Sequence, residues 1–187
     1  MKFKSIKKVH SGRFIQRYDI CYETKSGRDK VYEMISRKGD IDSLETLHST
    51  HPDAVVLILT DAEGERILLN REFRLATGQW IYNFPAGLID GDETPEEAAA
   101  RELREETGLS LDAVADVIPL SYSAVGFANE TNVCVVGTAS GEIRPSDSEV
   151  EEIEAAWYTR AQVRELLKDR FFAARTQSYC YLWSKQG

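Results

Sequence analysis

The sequence predicts an α/β/α sandwich around a mixed β-sheet, preceded by a small N-terminal antiparallel β-sheet. Residues 1–38 alternate between polar and apolar side chains, as half-buried strands do, whereas residues 54–59 form the apolar run typical of a buried strand. Helical patterns within and at the end of the later region would flank that strand's sheet. We therefore divide the chain into an N-terminal β-sheet region, residues 1–45, and a main domain, residues 46–187.

The N-terminal sheet is predicted to contain three strands, at residues 3–9, 13–22 and 30–36, with a hairpin turn at residues 25–28. Three short strands are too thin a sheet to be stable alone, so they must pack on the main domain or on a second subunit. Residues 38–50 are polar, and we interpret them as a linker.

The main domain is predicted to alternate strands with helices. Its strands and C-terminal helices are predicted at residues 54–59, 65–73, 80–84, 117–123, 133–140, 153–158, 160–168 and 171–183. The signals for a further helix over residues 95–107 are local and complete. Thr94 is a good N-cap, Glu97 closes a capping box with it, and Gly108 supplies the left-handed stop.

Composition narrows the class of protein. The hydrophobic content of 42% and the charged content of 29% are ordinary for a globular protein, and the net charge of −8 argues against a general nucleic-acid binder. No apolar run reaches the length of a membrane span, and we expect no signal peptide, because the first residues lead into no apolar h-region. The three cysteines are widely spaced, which fits neither a disulfide framework nor a zinc site, so we expect a soluble cytoplasmic protein.

Three carboxylates share one side of the helix predicted at residues 95–107. Glu102, Glu105 and Glu106 fall within an arc of roughly 100°. Two like charges about 4 Å apart repel by on the order of 4 kcal/mol at an effective dielectric near 20. A hard divalent cation, Mg²⁺ or Mn²⁺, would offset that repulsion, because it prefers oxygen ligands and commonly binds beside phosphates. The alternative is an acidic helix face in contact with solvent.

These glutamates belong to a longer pattern. The pattern begins at Gly87, reaches Glu93 after five residues and ends, after seven more, in the run at residues 101–109. It resembles the Nudix box at every defining position. The resemblance implies a hydrolase of nucleoside diphosphates linked to another moiety. It implies structural roles for Glu93 and Arg101, which would hold loop and helix in register. It further implies the metal ligands Glu102, Glu106, Glu105 and the backbone carbonyl of Ala86.

Two segments outside the box resemble the ADP-ribose and nucleotide-sugar pyrophosphatase branch of that family, at residues 71–74 and 80–89. In that branch an arginine at the position of Arg74 contacts the pyrophosphate of the substrate. The role is chemically sensible, because a planar guanidinium matches phosphate oxygens in bidentate fashion. The alternative is a surface arginine on an edge strand.

The N-terminal region resembles, loosely, the stretch of ADP-ribose pyrophosphatases in which ring stacking holds adenine. The resemblance implies that Phe14 and Tyr32 stack on the base, that Glu33 accepts its amino group and that Arg37 reaches the base or the phosphates. In that branch the sheet is shared across a homodimer. Alternatively, Phe14 and Tyr32 are core aromatics on neighbouring strands.

Two later segments complete the resemblance. Residues 121–130 resemble a loop that reads Pro-Gly before a glutamate, which assigns Gly126 to the substrate site and Glu130 to the distal sugar. Val125 stands where that branch usually carries proline, so the sequence leaves the nucleoside diphosphate derivative open. In the acidic segment at residues 149–154 the resemblance implies Glu149 as general base and Glu151 as a metal ligand, the alternative being a solvated loop.

The sequence thus predicts a Mg²⁺- or Mn²⁺-dependent pyrophosphatase of ADP-ribose or a related nucleoside diphosphate sugar, acting as a homodimer. The predicted catalytic residues are Glu149, Glu106 and Glu105. One alternative is the same chemistry on another nucleotide sugar or a dinucleotide, such as GDP-mannose or UDP-glucose. A second, from another class, is a catalytically silent regulator that binds nucleotide sugars, although such a protein has no need of the repelling carboxylates.

Overall fold

The computed structural model describes residues 1–48, 50–146, 148 and 150–186, and the chain forms two compact units. The first unit consists of Met1–Asp53 and Leu120–Asn132. The second consists of Ala54–Pro119 and Val133–Gly187. The division therefore differs from the boundary predicted between residues 45 and 46.

The first unit contains the predicted small antiparallel sheet, in the strand order β1-β2-β3. Its strands are β1 (Lys2–Ser11), β2 (Gln16–Glu23) and β3 (Asp29–Ser36). Strand β2 begins at Gln16, later than predicted, because the backbone N–H of Gly12 donates to the carbonyl of Ile15 at 2.9 Å and closes a turn. Phe14 therefore lies in the β1–β2 connection and not on a strand.

The interpretation of residues 38–50 as a linker is wrong for the part that the structure describes. A short helix, α1 (Leu44–Leu47), forms there with a capping box between Ser43 and Thr46. Leu47 and Ile41 are buried in a core that they share with three side chains of the sheet. These are Tyr18, Ile20 and Met34. Apolar contacts made across the fold thus join this segment to the first unit.

Most of the second unit is built on a seven-stranded sheet whose main path runs β10-β5-β4-β9-β8, with β6 paired to β5 and β7 paired to β4. The residues of β8 and β9 between 120 and 132 are counted with the first unit. The strands are β4 (Ala54–Thr60), β5 (Arg66–Arg74), β6 (Gln79–Asn83), β7 (Ala86–Leu88), β8 (Ser110–Tyr122), β9 (Thr131–Ser140) and β10 (Ile153–Thr159). The helices are α2 (Pro95–Thr107), α3 (Arg160–Asp169) and α4 (Ala174–Ser184).

Two cores confirm the α/β/α sandwich, one on each face of this sheet. Val55, Leu57 and Leu59 of β4 pack with the buried side of α2. Val56 and Ile58 face the other way and pack with α3 and α4. Because successive side chains of a strand point to opposite faces, a central strand that is covered on both sides must be apolar throughout.

The last helix begins three residues later than predicted, at Ala174, because the chain before it pairs with strand β6. The N–H of Tyr82 donates to the carbonyl of Phe171 at 2.8 Å, and the N–H of Ala173 donates to the carbonyl of Tyr82 at 3.0 Å. The rings of Tyr82 and Phe172 stack with their centroids 5.3 Å apart. Residues 171–173 therefore extend the sheet before the helix starts.

No helix in the described part of the chain combines the length and the apolar character that crossing a membrane requires.

Candidate metal centre and substrate residues

Helix α2 carries the candidate metal centre and has the bounds that the sequence predicts, Pro95–Thr107. At its start the Thr94 hydroxyl accepts from the N–H of Glu97, and the Glu97 carboxylate accepts from the N–H of Thr94. At its end Gly108 adopts a left-handed φ of 76°, which a glycine tolerates without steric cost. The orientation of the helix surface is thus set by local signals at both ends.

Arg101 joins this helix to the segment that precedes it. Its Nε and Nη2 donate to the two carboxylate oxygens of Glu93, each at 2.9 Å, and Nη2 also donates to the carbonyl of Leu88 at 2.9 Å. The hydrogen bonds from Arg101 lower the pKa of Glu93 to about 2. Strand β7, the loop after it and the middle of α2 are therefore held together by one side chain.

Glu102 lies directly against the backbone of β7. A Cβ atom added to Gly87 would stand 1.9 Å from the carboxyl carbon of Glu102, so only glycine permits this approach. The Nη1 of Arg101 donates to the Glu102 carboxylate at 2.7 Å. Burial nevertheless raises the pKa of Glu102 above its ordinary value. The space left by the missing side chain of Gly87, here called the glycine cradle, thus holds the Glu102 carboxylate beside the backbone of β7.

Glu106 is the most deeply buried of the three helix carboxylates. Its side chain accepts from the Asn70 amide at 2.8 Å and from the backbone N–H of Ala86. Burial, followed by the negative charges of Glu102 and Glu72, raises the pKa of Glu106 to about 8. The Oδ1 atom of Asn70 is buried and has no hydrogen-bond partner among the residues that the structure describes.

The residues present fit a hard divalent cation by their chemistry. Carboxylates and a backbone carbonyl are the oxygen ligands that Mg²⁺ and Mn²⁺ prefer. Burial, and after it repulsion by neighbouring carboxylates, raises the pKa of Glu106. Among the described residues, no three His, Cys, Asp or Glu side chains already stand close enough to hold an ion. Arg101 occupies Glu102 and also approaches Glu105, with Nη1 3.5 Å from its carboxylate. Holding a cation therefore requires these glutamates to turn from Arg101 to the ion.

Strand β5 contributes a row of polar side chains that the sequence analysis only partly identified. Asn70, Glu72 and Arg74 alternate along the strand and so share one face. The Nη1 of Arg74 donates to Glu72 at 3.3 Å, and the Asn83 amide donates to the other Glu72 oxygen at 2.9 Å. The change from the apolar residues 67–69 to polar residues at 70, 72 and 74 of the same strand is the signal that could have revealed Asn70 and Glu72.

The predicted residues of the acidic segment cannot all be placed. Glu149, the predicted general base, lies outside the described residues. Glu151 is exposed, and its backbone N–H donates to the Ser148 hydroxyl at 3.1 Å. The next carbonyl, of Glu152, accepts from the N–H of Phe73 at 3.0 Å, so the segment runs alongside the end of β5.

In the first unit the structure brings Tyr32 and Gly126 together, since the Tyr32 hydroxyl donates to the Gly126 carbonyl. Tyr32 is 41% exposed, so it is not a core residue. It lines a cavity of about 260 Å³ together with Tyr122 and Phe127. Val125 also lines this cavity, at the position where the resemblance expects proline.

Two other predicted base contacts are not beside Tyr32 within one chain. Strand pairing sets Gln16 opposite Ser36, so Tyr32 lies about 13 Å along the sheet from the end at which Phe14 is found. Phe14 is 65% exposed, which also excludes a core role. Glu33 points to the opposite face from Tyr32 and pairs with Arg17 at 3.0 Å. A single chain therefore does not form the expected clamp of Phe14, Tyr32 and Glu33 around one base.

Arg37 and Glu130, both predicted to bind substrate, form an ion pair with each other. The Nε of Arg37 lies 2.9 Å from a Glu130 oxygen, and the side chains are 51% and 32% exposed. Each group therefore has its charge offset by the other, and a substrate would have to share or replace this contact.

Comparison with known proteins places residues 50–179 in a match to the NUDIX domain. The chain is similar to an ADP-ribose pyrophosphatase of Saccharomyces cerevisiae, with 30% identity over 71% of this chain and 55% of that protein. It is also similar to an ADP-sugar pyrophosphatase of Mus musculus, with 30% identity over 73% of this chain and 62% of that protein. A third relative is the human NAD-capped RNA hydrolase NUDT12, with 32% identity over 81% of this chain and 33% of that protein. The chain thus spans less than two thirds of the length of each of these relatives.

One solved structure, described as an ADP compounds hydrolase, has the same fold. It superposes with a TM-score of 0.75 at 24% identity, and the match covers 97% of this chain and 92% of that chain.

The raised pKa of Glu106 predicts how the stability of the metal-free protein changes with pH. The pKa of Glu106 in the folded state lies above its ordinary value of 4.5, so the protonated carboxyl group stabilises the folded protein, and this stabilisation is complete below pH 4.5. It is lost as the pH rises through about 8. We would measure the free energy of unfolding by urea denaturation in EDTA. From pH 4.5 to about pH 8 it should decrease more for the wild type than for Glu106→Gln.

Glu96→Gln is the matched control, because Glu96 is an exposed carboxylate on the same helix. It should retain the pH dependence of the wild type. Added Mg²⁺ should stabilise the wild type more at the alkaline end of the range, because the cation binds the ionised carboxylates. Identical pH profiles for the wild type and Glu106→Gln would contradict the assignment.

Proposed function

We propose that this chain, which belongs to the NUDIX domain family, is a divalent-cation-dependent pyrophosphatase of ADP-ribose or a related nucleoside diphosphate sugar. The observation that carries the proposal is the arrangement of Glu102 and Glu106 on α2, beside the glycine cradle of β7 and the contacts of Arg101. The names of the yeast and mouse relatives support the substrate class.

The cation would be Mg²⁺ or Mn²⁺, and when bound it supplies positive charge against the diphosphate and activates water for attack on phosphorus. The residues proposed to hold it are Glu102, Glu105, Glu106, Glu151 and the carbonyl of Ala86. Arg101 remains with Glu93 through two hydrogen bonds when its contact to Glu102 is given up, so the loop and the helix stay joined. Asn70 keeps the Glu106 carboxylate in place from behind.

The chain's own residues would bind the substrate and move its protons. Arg74 would donate to the diphosphate oxygens, since its side chain is 56% exposed. Glu149 is proposed as the base that takes the proton of the attacking water. The products from ADP-ribose would then be AMP and ribose 5-phosphate, through hydrolysis of the bond between the two phosphates.

The base-binding part of the proposal rests on the first unit alone. Tyr32 presents an exposed ring beside an apolar cavity, which suits stacking on a flat base. Phe14 lies too far from Tyr32 in the same chain, so we propose that Phe14 stacks on the base held by a second copy. Glu33, Arg37, Gly126 and Glu130 remain proposed contacts to the base, the phosphates and the distal sugar.

A panel of nucleoside diphosphate derivatives tests the function, with phosphate release measured after phosphatase coupling. ADP-ribose should be cleaved in the presence of Mg²⁺ or Mn²⁺ and should be preferred to GDP-mannose, UDP-glucose and dinucleotides. Glu106→Gln should fold and should lower kcat by several orders of magnitude. Its activity within about tenfold of wild type would remove Glu106 from the metal site. A wild type that binds nucleotide sugars and cleaves none would favour a regulator.

Truncation of Tyr32 tests base stacking. Tyr32→Ala should raise KM by about 5- to 150-fold, the equivalent of roughly 1–3 kcal/mol of stacking, while kcat changes little. Tyr32→Phe is the matched control, because it removes only the hydroxyl contact to Gly126 and keeps the ring. Thermal stability should stay near wild type, since the ring is partly exposed. A strongly destabilised Tyr32→Ala protein with unchanged KM would return this residue to a structural role.

Light scattering tests the proposed homodimer. Strand β8 lies at the edge of its sheet and exposes Val114, Ile118, Leu120 and Tyr122, an apolar row on one face that Asp116 interrupts. A second copy would cover such a row, since a long exposed edge strand otherwise invites uncontrolled pairing. Scattering should give twice the chain mass of 21.1 kDa. A fully active monomer would overturn the proposal.

We also propose a cytoplasmic location. Its support is that all three cysteines, Cys21, Cys134 and Cys180, are free thiols, as is usual in a reducing compartment.

A further inference from the structure

We infer that Glu72 is a positioning residue, which holds the guanidinium of Arg74 ready for the substrate diphosphate. This inference rests on the proposed function and adds to it a residue to which the sequence analysis assigned no role. It is carried by the burial of Glu72, by its two hydrogen-bond partners and by the exposure of Arg74.

Glu72 is a carboxylate in an unusual place. Strand β5 is paired on both sides at this point, with Glu72 opposite Ile81 of β6 and opposite Ile153 of β10. The residue is only 8% exposed. An acidic side chain is rarely buried unless its oxygens are hydrogen-bonded, because the charge loses its hydration. Both oxygens of Glu72 are in fact used, one by Asn83 and the other by Arg74.

The contact from Asn83 fixes which oxygen of Glu72 is left for Arg74. The Asn83 amide oxygen accepts from the N–H of Phe84 at 3.0 Å and from the hydroxyl of Thr176 at 2.8 Å. Thr176 is fully buried on α4. With its oxygen held in this way, Asn83 can present only its NH₂ group to Glu72. The carboxylate is therefore oriented from behind, with its second oxygen directed to Arg74.

Arg74 is held by this contact and is otherwise available. Its backbone is fixed, because its carbonyl accepts from the N–H groups of Thr77 and Gly78 in the turn after β5. Its side chain is 56% exposed, and within the described part of the chain its guanidinium is engaged through Nη1 alone. The remaining N–H groups can meet phosphate oxygens. A long side chain that is already ordered loses less conformational entropy when it binds.

Charge alone predicts the opposite effect of Glu72. Its negative charge acts on Glu106, and it would repel an incoming diphosphate and offset part of the charge of Arg74. If repulsion decided the matter, removing the charge would tighten substrate binding. The two effects of Glu72 thus differ in sign, and an experiment can separate them.

A double-mutant cycle of Glu72→Gln and Arg74→Ala tests the inference, with KM, kcat and the Mg²⁺ half-saturation measured for ADP-ribose. A glutamine at this position has one acceptor oxygen, which the fixed Asn83 amide retains, so the contact to Arg74 is the one that is lost. Glu72→Gln should raise KM by about tenfold, as expected for a hydrogen bond between charged groups, with kcat and the Mg²⁺ requirement near wild type. In the Arg74→Ala background the same change should alter KM by no more than about twofold.

Glu154→Gln is the matched control. It breaks another arginine–glutamate pair, in which Arg71 of β5 lies 2.7 Å from Glu154 of β10, and it should leave KM unchanged. The melting temperature of Glu72→Gln should not fall, because the substitution also removes a repelling charge. This readout separates positioning from a structural role, which would lower the melting temperature in both backgrounds.

Three outcomes would overturn the inference. They are a lower KM in Glu72→Gln, an equal increase in KM with and without Arg74, and a higher Mg²⁺ half-saturation, which would make Glu72 an ion ligand. The cycle is also read from the Kd of ADP by calorimetry, which needs no turnover. If the wild type does not cleave ADP-ribose, but Glu72→Gln weakens ADP binding only when Arg74 is present, the proposed function is wrong and this inference stands. If the wild type is active and the losses of ADP affinity from the two substitutions simply add, the proposed function stands and this inference is wrong.

Discussion

The contacts of Arg101 are the interaction on which the site depends. One guanidinium binds Glu93 through two hydrogen bonds, reaches the carbonyl of Leu88 and contacts Glu102. Without it, the carboxylates of Glu93 and Glu102 would lose the guanidinium that contacts both of them. Because the charge is delocalised over a planar group, the same residue can stabilise the loop and still release one glutamate. Arg101 can thereby hold the loop to the helix through Glu93 and still leave Glu102 for a cation.

Local signals account for the parts of the fold that the sequence predicted well. The bounds of α2 follow from the capping box at Thr94 and from Gly108, and the apolar run of β4 follows from its burial on both faces. The short strand β7 and the packing of residues 41–47 were missed, since both depend on partners that are distant in sequence. A three-residue strand carries too little pattern to be distinguished from a loop.

The site shows the same division. The glutamates of the candidate metal centre could be proposed from sequence, because a helix places residues one turn apart on one side. Glu72 could not, because its importance lies in what Asn83 and Arg74 do in three dimensions. Sequence also could not show that Phe14 and Tyr32 are not neighbours within one chain, because strand register determines which aromatics are neighbours and residue spacing alone does not give the register.

The pairing of residues 171–173 with β6 has a consequence for the order in which the protein can be made. A chain emerging from the ribosome presents β5, β6 and α2 long before Phe172 and Thr176 exist. Until they arrive, one edge of β6 has no partner and the amide of Asn83 has no hydroxyl to orient it. The glutamates of α2 in the candidate metal centre can therefore be placed before Thr176 is made, whereas Asn83, which orients Glu72, gains its hydroxyl partner only after that.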